Sequence, residues 1–236
     1  MIDVHAHILP QVDDGSGSIE ETLSMLSISY AEGFRTVIAT PHYIPGSSHK
    51  NTTELKEILD RVREAAKERF PDLFLCLGQE VYYFDGIVEA LRKGEALTMA
   101  GSQYVLVEFP IQISWKAMYQ GMRNLLNGGY HPIAAHVERY GALQEEARLQ
   151  ELKQAGVMLQ MNYHSLEGSP LNRRARWCRK QILNGTIDLL GTDCHHAKMR
   201  SPEITEAMRW LEKKCPQERI QELVQQKAEE IIKNTM

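Results

Sequence analysis

The chain alternates short apolar runs with longer stretches in which apolar residues recur every three or four positions. The runs are rich in Val, Ile and Leu, as is typical of strands buried in a parallel sheet. The longer stretches have the period of amphipathic helices. The pattern predicts strands over residues 2–8, 35–40, 73–79, 104–109, 131–136, 157–162 and 187–191, with helices between them.

Helix boundaries carry their own signals. Ser18–Glu21 and Asn51–Glu54 each place a capping side chain three residues before a glutamate, which is the pattern of a capping box. Glycine favours helix ends because it adopts left-handed backbone conformations without strain. We therefore predict helix starts near Ser18, Asn51, Asp85, Ser201-Pro202 and Cys215-Pro216, and helix ends at Gly33, Gly128 and Gly156.

Seven strand–helix units follow one another without a Pro-, Gly- or Ser-rich linker, a repeated block or a low-complexity segment. Because parallel strands require crossover connections, this order predicts an α/β protein, a distorted (β/α)7 TIM-like barrel that occupies residues 1–236 as one domain. An open, doubly wound sheet is the alternative. Both folds place functional residues at the carboxyl ends of their strands, so the residues predicted there are the candidates for a site.

Composition narrows the class of protein. A formal charge of -4 and a pI near 6.2 argue against a nucleic-acid partner. No run approaches the roughly 20 apolar residues that span a bilayer, and the N-terminus lacks the pattern of a signal peptide, so we expect a cytoplasmic protein without membrane insertion. The cysteines are widely spaced and form no CxxC pair, which favours reduced thiols; they are Cys76, Cys178, Cys194 and Cys215.

Residue types that bind metals fall at the predicted strand ends. His5 and His7 are two apart in the first strand, so their side chains project from one face. Two imidazoles on one face make a poor core but half of a metal site. Without cations, so many charged groups at one rim would repel one another, so the pattern predicts a multinuclear metal site. The other strand ends and the turn after strand 1 add Asp14, His42, Glu80, Glu108, His136, Asp193 and His195.

The order of these motifs resembles a known superfamily. From residue 1 to about residue 200, the chain is similar to the polymerase and histidinol phosphatase (PHP) superfamily. Within it, the chain most resembles the bacterial manganese-dependent protein-tyrosine phosphatases of capsule and exopolysaccharide operons. The blocks that carry the resemblance are Met1–Pro10, Asp13–Gly15, Thr36–His42, Gly78–Glu80, Val107–Pro110, His136–Arg139 and Thr192–His195.

The resemblance implies a PHP fold with three divalent cations at the carboxyl ends of the strands. Nitrogen and oxygen donors suit Mn2+, Fe, Zn or Co, and the preference for Mn2+ comes from the resemblance. Glu80 is expected to bridge two ions. The implied sets are His5, His7, Glu80 and Asp193 for the first cation, Glu80, Glu108 and His136 for the second, and Asp14, His42 and His195 for the third.

Such a site favours hydrolysis of a phosphomonoester by metal-activated hydroxide. Arg139 and Arg200 closely follow predicted ligands and are expected to bind the phosphoryl oxygens, a role that the resemblance also implies. A phenolate, with a pKa near 10, leaves without a dedicated general acid. We therefore expect a protein-tyrosine phosphatase whose partner is a phosphotyrosine protein, the tyrosine-rich tail of a bacterial kinase that regulates capsular or exopolysaccharide synthesis.

Aromatic residues near the same rim are candidates for a wall around a phosphotyrosine ring, and they fit packing over the end of the sheet equally well. They are Tyr43, Tyr82, Tyr83, Phe84, Trp115, Tyr140 and Tyr163. Among the remaining histidines, His49 is expected in a solvated loop and His131 at the opposite end of the fold. His164 and His196 lie near the rim, where a structural role is favoured over support of a ligand.

Other functions remain open. Cys194 and Arg200 fit the C-x5-R spacing of cysteine-dependent tyrosine phosphatases, but the residues between them lack the glycines of a phosphate-binding loop. An amidohydrolase barrel also begins with His-x-His but usually adds a bridging lysine. A histidinol-phosphate phosphatase would share the metal ligands, as would a polymerase-linked exonuclease, which the net charge disfavours. A non-catalytic metal-binding module is a further alternative.

Overall fold

Strands and helices alternate through residues 1–47, 50–169 and 171–233, the part of the chain that the structure, a computed structural model, describes. The strands are β1 Ile2–Ala6, β2 Thr36–Ala39, β3 His42–Tyr43, β4 Phe74–Leu77, β5 Glu80–Tyr82, β6 Tyr104–Glu108, β7 His131–Ala134, β8 Met158–Asn162 and β9 Leu189–Gly191. The helices are α1 Ile19–Ala31, α2 Thr52–Ala66, α3 Ile87–Lys93, α4 Trp115–Asn127, α5 Glu146–Gln154, α6 Arg173–Leu183, α7 Thr205–Lys214, α8 Gln217–Gln221 and α9 Lys227–Ile232. His49 lies outside the described residues.

The strands form a parallel arrangement that curls on itself. β1, β2 and β4 pair in one sheet, and β3, β5, β6, β7, β8 and β9 pair in a second. β3 follows β2 after a break at residues 40–41, and β5 follows β4 after a break at residues 78–79. Each of these two extended segments therefore contributes one strand to each sheet. The loop after β9 returns to β1 through a parallel bridge between Ala6 and Cys194. The predicted α/β class with parallel strands is confirmed.

Two breaks position residues that matter for the site. Pro41 has no N–H to donate to a ladder, and the chain resumes as β3 at His42. At the second break, a Cβ on Gly78 would lie 2.9 Å from Met99 Sδ, so only glycine fits without a shift of the methionine. β3 and β5 then pair in the register that sets His42 directly beside Glu80.

The predicted N-caps of the helices agree with the structure in part. Asn51 and Glu54 form the complete capping box predicted for α2. Ser18 caps α1 by accepting a hydrogen bond from Glu21 N, but the Glu21 carboxylate accepts from Gly17 N instead of the cap residue. The Asp85 prediction is wrong: the N-cap of α3 is Gly86, without a side-chain cap.

The amino ends of the strands are closed by apolar packing. One buried cluster joins Ile2, Ile133 and Leu189 to Ala228 and Ile231 of α9. Burial of these side chains stabilises that end and leaves the carboxyl ends as the place where polar side chains converge. Within the described residues, no helix combines the length and the apolar composition needed to cross a membrane.

Candidate metal centre

The carboxyl ends of the strands hold the nine side chains that the sequence predicts as ligands. Each has a ring nitrogen or carboxylate oxygen within 4 Å of such an atom in another member of the set. His5, His42, Glu80 and Glu108 lie in β1, β3, β5 and β6, and the loops after β1, β7 and β9 supply His7, Asp14, His136, Asp193 and His195.

The first predicted set has four donor atoms at the corners of a small, buried cup. His5 Nε2 lies 3.2 Å from His7 Nε2, 3.2 Å from Glu80 Oε2 and 3.5 Å from Asp193 Oδ1. His7 Nε2 lies 3.3 Å from Glu80 Oε2 and 3.6 Å from Asp193 Oδ1. Ligands at ~2.1 Å from one ion in a tetrahedron are about 3.4 Å apart, so the spacing of His5, His7 and Asp193 is that of ligands to a single divalent cation, and Glu80 Oε2 lies beside both histidines.

The two oxygens of Glu80 face different neighbours. Oε2 belongs to the cup just described, whereas Oε1 lies 2.8 Å from His136 Nε2. Glu108 Oε1 lies 3.4 Å from the same His136 nitrogen. The carboxylate of Glu80 therefore stands between two groups of donors, as a bridging ligand must.

The third predicted set lies nearer solvent than the first, because Asp14 is exposed and His42 is partly exposed. Asp14 Oδ1 lies 3.4 Å from His42 Nε2 and 3.3 Å from His195 Nε2. The other nitrogen of His42, Nδ1, lies 3.1 Å from Glu80 Oε2. His42 consequently stands between the second and third sets instead of belonging to the third alone.

Electrostatics of the cluster favour added positive charge. Burial disfavours the charged form of His7, but hydrogen bonds to Asp13 and Glu80 raise its pKa to about 10. The pKa of His136 is likewise raised, to about 9, by Glu108 and Glu80 in spite of burial. Burial opposes ionisation of Glu80, yet His5 and its hydrogen-bonded imidazoles hold the pKa of its carboxyl well below the usual value.

Three ring nitrogens of the predicted ligands are buried and have no hydrogen bond within the described residues. They are His42 Nδ1, His136 Nδ1 and His195 Nε2. A buried imidazole nitrogen is rarely left unpaired, because its desolvation is not recovered. His42 Nδ1 lies 3.1 Å from Glu80 Oε2 and His195 Nε2 lies 3.3 Å from Asp14 Oδ1, and a set of imidazole and carboxylate donors fits Mn, Fe, Zn or Co.

Two arginines border the cup and contact one of its members. Arg200 Nη2 donates to Asp193 Oδ1 at 2.7 Å, and Arg139 Nη2 donates to Asp193 Oδ2. Both guanidinium groups line an open cavity of about 400 Å³ beside the cup. The geometry places two fixed cations at the mouth of a cluster of donors, an arrangement suited to binding a phosphoryl group.

Comparison with known proteins gives the family. Residues 1–233 match the family described as capsular polysaccharide synthesis, CpsB/CapC. The chain belongs to this family. It is 33% identical over 238 residues to the tyrosine-protein phosphatase CpsB of Streptococcus pneumoniae, with 98% of each protein covered. It is 30% identical to the tyrosine-protein phosphatase YwqE of Bacillus subtilis, covering 99% of this chain and 92% of that relative.

A solved structure extends the likeness to three dimensions. This structure belongs to work on YwqE from Bacillus subtilis and CpsB from Streptococcus pneumoniae, which are described as unique metal-dependent tyrosine phosphatases. It aligns with a TM-score of 0.90 and 28% identity over 100% of this chain and 96% of the solved chain. The resemblance to the bacterial phosphatases of capsule operons is confirmed.

Asp13 supports the cluster, although the sequence analysis does not single it out. Its Oδ2 accepts hydrogen bonds from His7 Nδ1 at 2.8 Å and from His42 N at 3.0 Å, and its Oδ1 accepts from Gly15 N. A hydrogen bond to the far nitrogen fixes the tautomer and ring orientation of a ligating histidine. The signal was present in the sequence, because Asp13 stands directly before Asp14 in an Asp-Asp-Gly turn.

Asp13→Asn is expected to weaken Mn2+ affinity by about 10- to 100-fold, because an amide orients and polarises the His7 ring less well than a carboxylate. Titration calorimetry of the metal-free protein measures the change. Asp60→Asn, an exposed carboxylate on α2, is the control and should leave affinity unchanged. Equal affinity for the Asp13 variant and the wild type would show that His7 is held in place without this contact.

β8 contributes a second support that the sequence analysis missed. Gln160 Oε1 lies 3.2 Å from His5 Nδ1 and accepts a 2.7 Å hydrogen bond from His136 N. Asn162 Nδ2 donates to Asp193 Oδ2 at 2.7 Å. Gln160 and Asn162 are two apart in a strand and so share a face, and this alternation of polar with apolar residues could have identified them.

The backbone is strained where the site is built. His136, Asp193 and Arg200 have φ of 34°, 52° and 51°, in the left-handed region that non-glycine residues rarely adopt. Such conformations cost on the order of 1 kcal/mol each and persist where the surrounding structure over-determines them. Here they turn two predicted ligands and one arginine toward the cup.

The aromatic wall is only partly present. Tyr140 and Tyr163 are fully buried and Tyr43 is nearly so, which means that they pack in the core instead of facing a ligand. Tyr140 shows why: its hydroxyl accepts a hydrogen bond from Phe109 N, so the ring is held inside. Tyr82, Tyr83, Phe84 and Trp115 are half-buried.

Two further residues outside the predicted ligand set, Asp3 and His164, have well-defined contacts. Asp3 is buried beneath His5, where its carboxylate accepts hydrogen bonds from His5 N and from Thr192 N and Oγ1. It thereby ties β1 to the loop that carries Asp193. His164 lines the open cavity and lies 2.8 Å from Ser201 O.

Proposed function

We propose that this protein is a metal-dependent protein-tyrosine phosphatase. The observation that carries the proposal is the carboxylate of Glu80, which stands between two groups of donors with two arginines at the mouth of the same cluster. Phosphoryl transfer depends mainly on positioning and on stabilisation of negative charge, and clustered cations with fixed guanidinium groups supply both. The likeness to tyrosine-protein phosphatases over nearly the whole chain supports the same conclusion.

Three divalent cations, Mn2+ by preference, would occupy the cluster and would supply an acidified water as nucleophile and neutralise charge on the phosphate. Fe, Zn or Co also suit the donors. The proposed ligands are His5, His7, Glu80 and Asp193 for the first, Glu80, Glu108 and His136 for the second, and Asp14, His42 and His195 for the third.

The arginines bind and orient the substrate. In the described structure Arg139 and Arg200 both donate to Asp193. A cation held by Asp193 would share the charge of this carboxylate, so that Arg139 and Arg200 would be available to the phosphoryl oxygens. Paired guanidinium groups fix the phosphorus in line for attack and stabilise the charge that spreads over its oxygens. The phenolate of tyrosine leaves without a proton donor from the chain.

The proposal includes the wider setting. It takes the curled sheet as a (β/α)7 barrel that forms a single domain over residues 1–236, and it places the protein in the cytoplasm. The partner is a phosphotyrosine protein, the tyrosine-rich tail of a bacterial kinase that regulates capsular or exopolysaccharide synthesis. Histidinol phosphate is the alternative substrate, because such a phosphatase would use the same ligands.

A substrate panel tests the proposal. The purified protein, loaded with Mn2+ and with its metal content measured, is assayed against a phosphotyrosyl peptide, a phosphoseryl peptide and histidinol phosphate. We expect kcat/KM to be highest for the phosphotyrosyl peptide. Higher kcat/KM for histidinol phosphate would support the alternative substrate. The absence of turnover with every phosphomonoester would support a non-catalytic metal-binding module.

We expect chelation of metal to abolish phosphatase activity and Cys194→Ala to leave it nearly unchanged. Cys194 is fully buried, and burial together with Asp3 raises the pKa of its thiol, so it cannot serve as a nucleophile. Prolonged treatment with EDTA should abolish phosphotyrosine hydrolysis, and added Mn2+ should restore it. Cys194→Ala should retain activity within about twofold, since only a small buried side chain is shortened. The reverse pattern would establish a thiol mechanism.

A further inference from the structure

Helix α6 carries a stripe of exposed basic side chains next to the site. Arg173, Arg176, Trp177 and Lys180 follow one another at the i, i+3, i+4 and i+7 positions, which lie on one helix face. The three basic members are exposed and Trp177 is half-buried. With a formal charge of -4 on the chain as a whole, this concentration of positive charge is local.

The stripe lines a cavity that adjoins the candidate metal centre. The cavity has a volume of about 540 Å³. Arg174 lines both this cavity and the one that holds Arg139 and Arg200. Arg174 therefore stands between the arginines of the metal centre and the α6 stripe.

The positive charge of the stripe is only partly neutralised. Lys180 Nζ lies 2.7 Å from Glu146 Oε2. Arg174 is 3.9 Å from Glu138 Oε1, which already accepts hydrogen bonds from Ser165 Oγ and a backbone N–H. Within the described residues, neither Arg173 nor Arg176 forms an ion pair with a carboxylate, so their guanidinium groups are available to an external anion.

We propose that the α6 stripe binds a second phosphotyrosine of the same substrate segment while the first is hydrolysed. The inference rests on the proposed function. Guanidinium groups bind phosphate through paired hydrogen bonds, and the face of Trp177 offers an apolar surface for the phenyl ring. The stripe is ~10 Å long, because seven residues of helix rise 1.5 Å each, and it matches about three residues of an extended peptide.

Multiply phosphorylated chains are therefore the preferred substrates. The second contact holds the segment without touching the reacting phosphorus, so it should lower KM and leave kcat nearly unchanged. The expected preference is about tenfold in kcat/KM. It should decline as salt is raised, because the contact is an exposed ionic one.

Peptide kinetics test this inference. Peptides with one phosphotyrosine are compared with peptides that carry a second phosphotyrosine two to seven residues away, using the Mn2+-loaded full chain. The wild type should prefer the doubly phosphorylated peptides about tenfold, with an optimum in the spacing. The double variant Arg173→Gln/Arg176→Gln should lose the preference while hydrolysing p-nitrophenyl phosphate at the rate of the wild type.

Lys213→Gln/Lys214→Gln, at the exposed end of α7, is the charge-matched control and should keep the preference. Equal kcat/KM for the two kinds of peptide in the wild type would overturn the proposal, as would loss of the preference in the control. Loss of binding to phosphatidylglycerol vesicles in the α6 variant, with peptide preference intact, would overturn it in favour of a membrane surface.

Failure of this inference and failure of the proposed function give different results. If the protein hydrolyses p-nitrophenyl phosphate and singly phosphorylated peptides but shows no preference, only the α6 inference fails. If no phosphomonoester is hydrolysed, calorimetric binding of the singly and doubly phosphorylated peptides still decides whether the stripe holds a second phosphate.

Discussion

Replacing Glu80 with glutamine is expected to lower kcat/KM for a phosphotyrosyl peptide by about a thousandfold or more. Glu80 lies within 3.3 Å of a nitrogen of each of His5, His7, His42 and His136. An amide keeps the shape of the side chain but removes the negative charge and one acceptor oxygen, so it cannot bridge two cations. A loss of about 4 kcal/mol in transition-state stabilisation corresponds to this factor.

Metal content distinguishes this explanation from loss of the fold. The Glu80→Gln protein should bind fewer Mn2+ ions than the wild type by elemental analysis and should keep its circular dichroism spectrum. Glu57→Gln, which changes an exposed carboxylate on α2, is the matched control and should alter neither activity nor metal content. Full activity in Glu80→Gln would remove the basis for a bridged metal pair.

The double substitution Arg139→Lys/Arg200→Lys is expected to lower kcat/KM by about 100-fold or more without loss of metal. Lysine keeps the positive charge but cannot form the paired hydrogen bonds that guanidinium makes with a phosphoryl group. Each charge-assisted hydrogen bond contributes about 1.5–3 kcal/mol, and two such contacts are changed. Steady-state kinetics on a phosphotyrosyl peptide, together with metal analysis, measure the effect.

The contact of both arginines with Asp193 defines the competing explanation. If their role is to position Asp193 as a ligand, activity and metal content should fall together, and excess Mn2+ should restore the activity. If they bind substrate, excess Mn2+ should not help. Arg92→Lys, at an exposed position of α3, is the control for the substitution itself.

Much of the site could be predicted because parallel strands impose a simple geometry. Strands that run the same way end at the same edge, so His5, Glu80 and Asp193 could be expected together without knowing how the sheet curls. The structure brings these side chains to one cup. That they bind cations stays a prediction, which metal analysis of the purified protein decides.

The supporting contacts were harder to predict, because they depend on distances that no spacing in the sequence gives. Gln160 reaches both His5 and His136, residues far from it along the chain. The prediction that Tyr140 borders a phosphotyrosine ring is wrong for a related reason. The loop after β7 folds inward, and the backbone N–H of Phe109 satisfies the tyrosine hydroxyl in the core.

The left-handed conformations of His136, Asp193 and Arg200 limit how this protein can be made more heat-resistant. Glycine would relieve the unfavourable torsion at each of them, yet it would delete an imidazole, a carboxylate or a guanidinium that points into the cup. Thermostabilising substitutions should therefore be sought in the outer helices and at the apolar floor beneath α9. Relief of the torsion at these three positions would therefore come at the expense of activity.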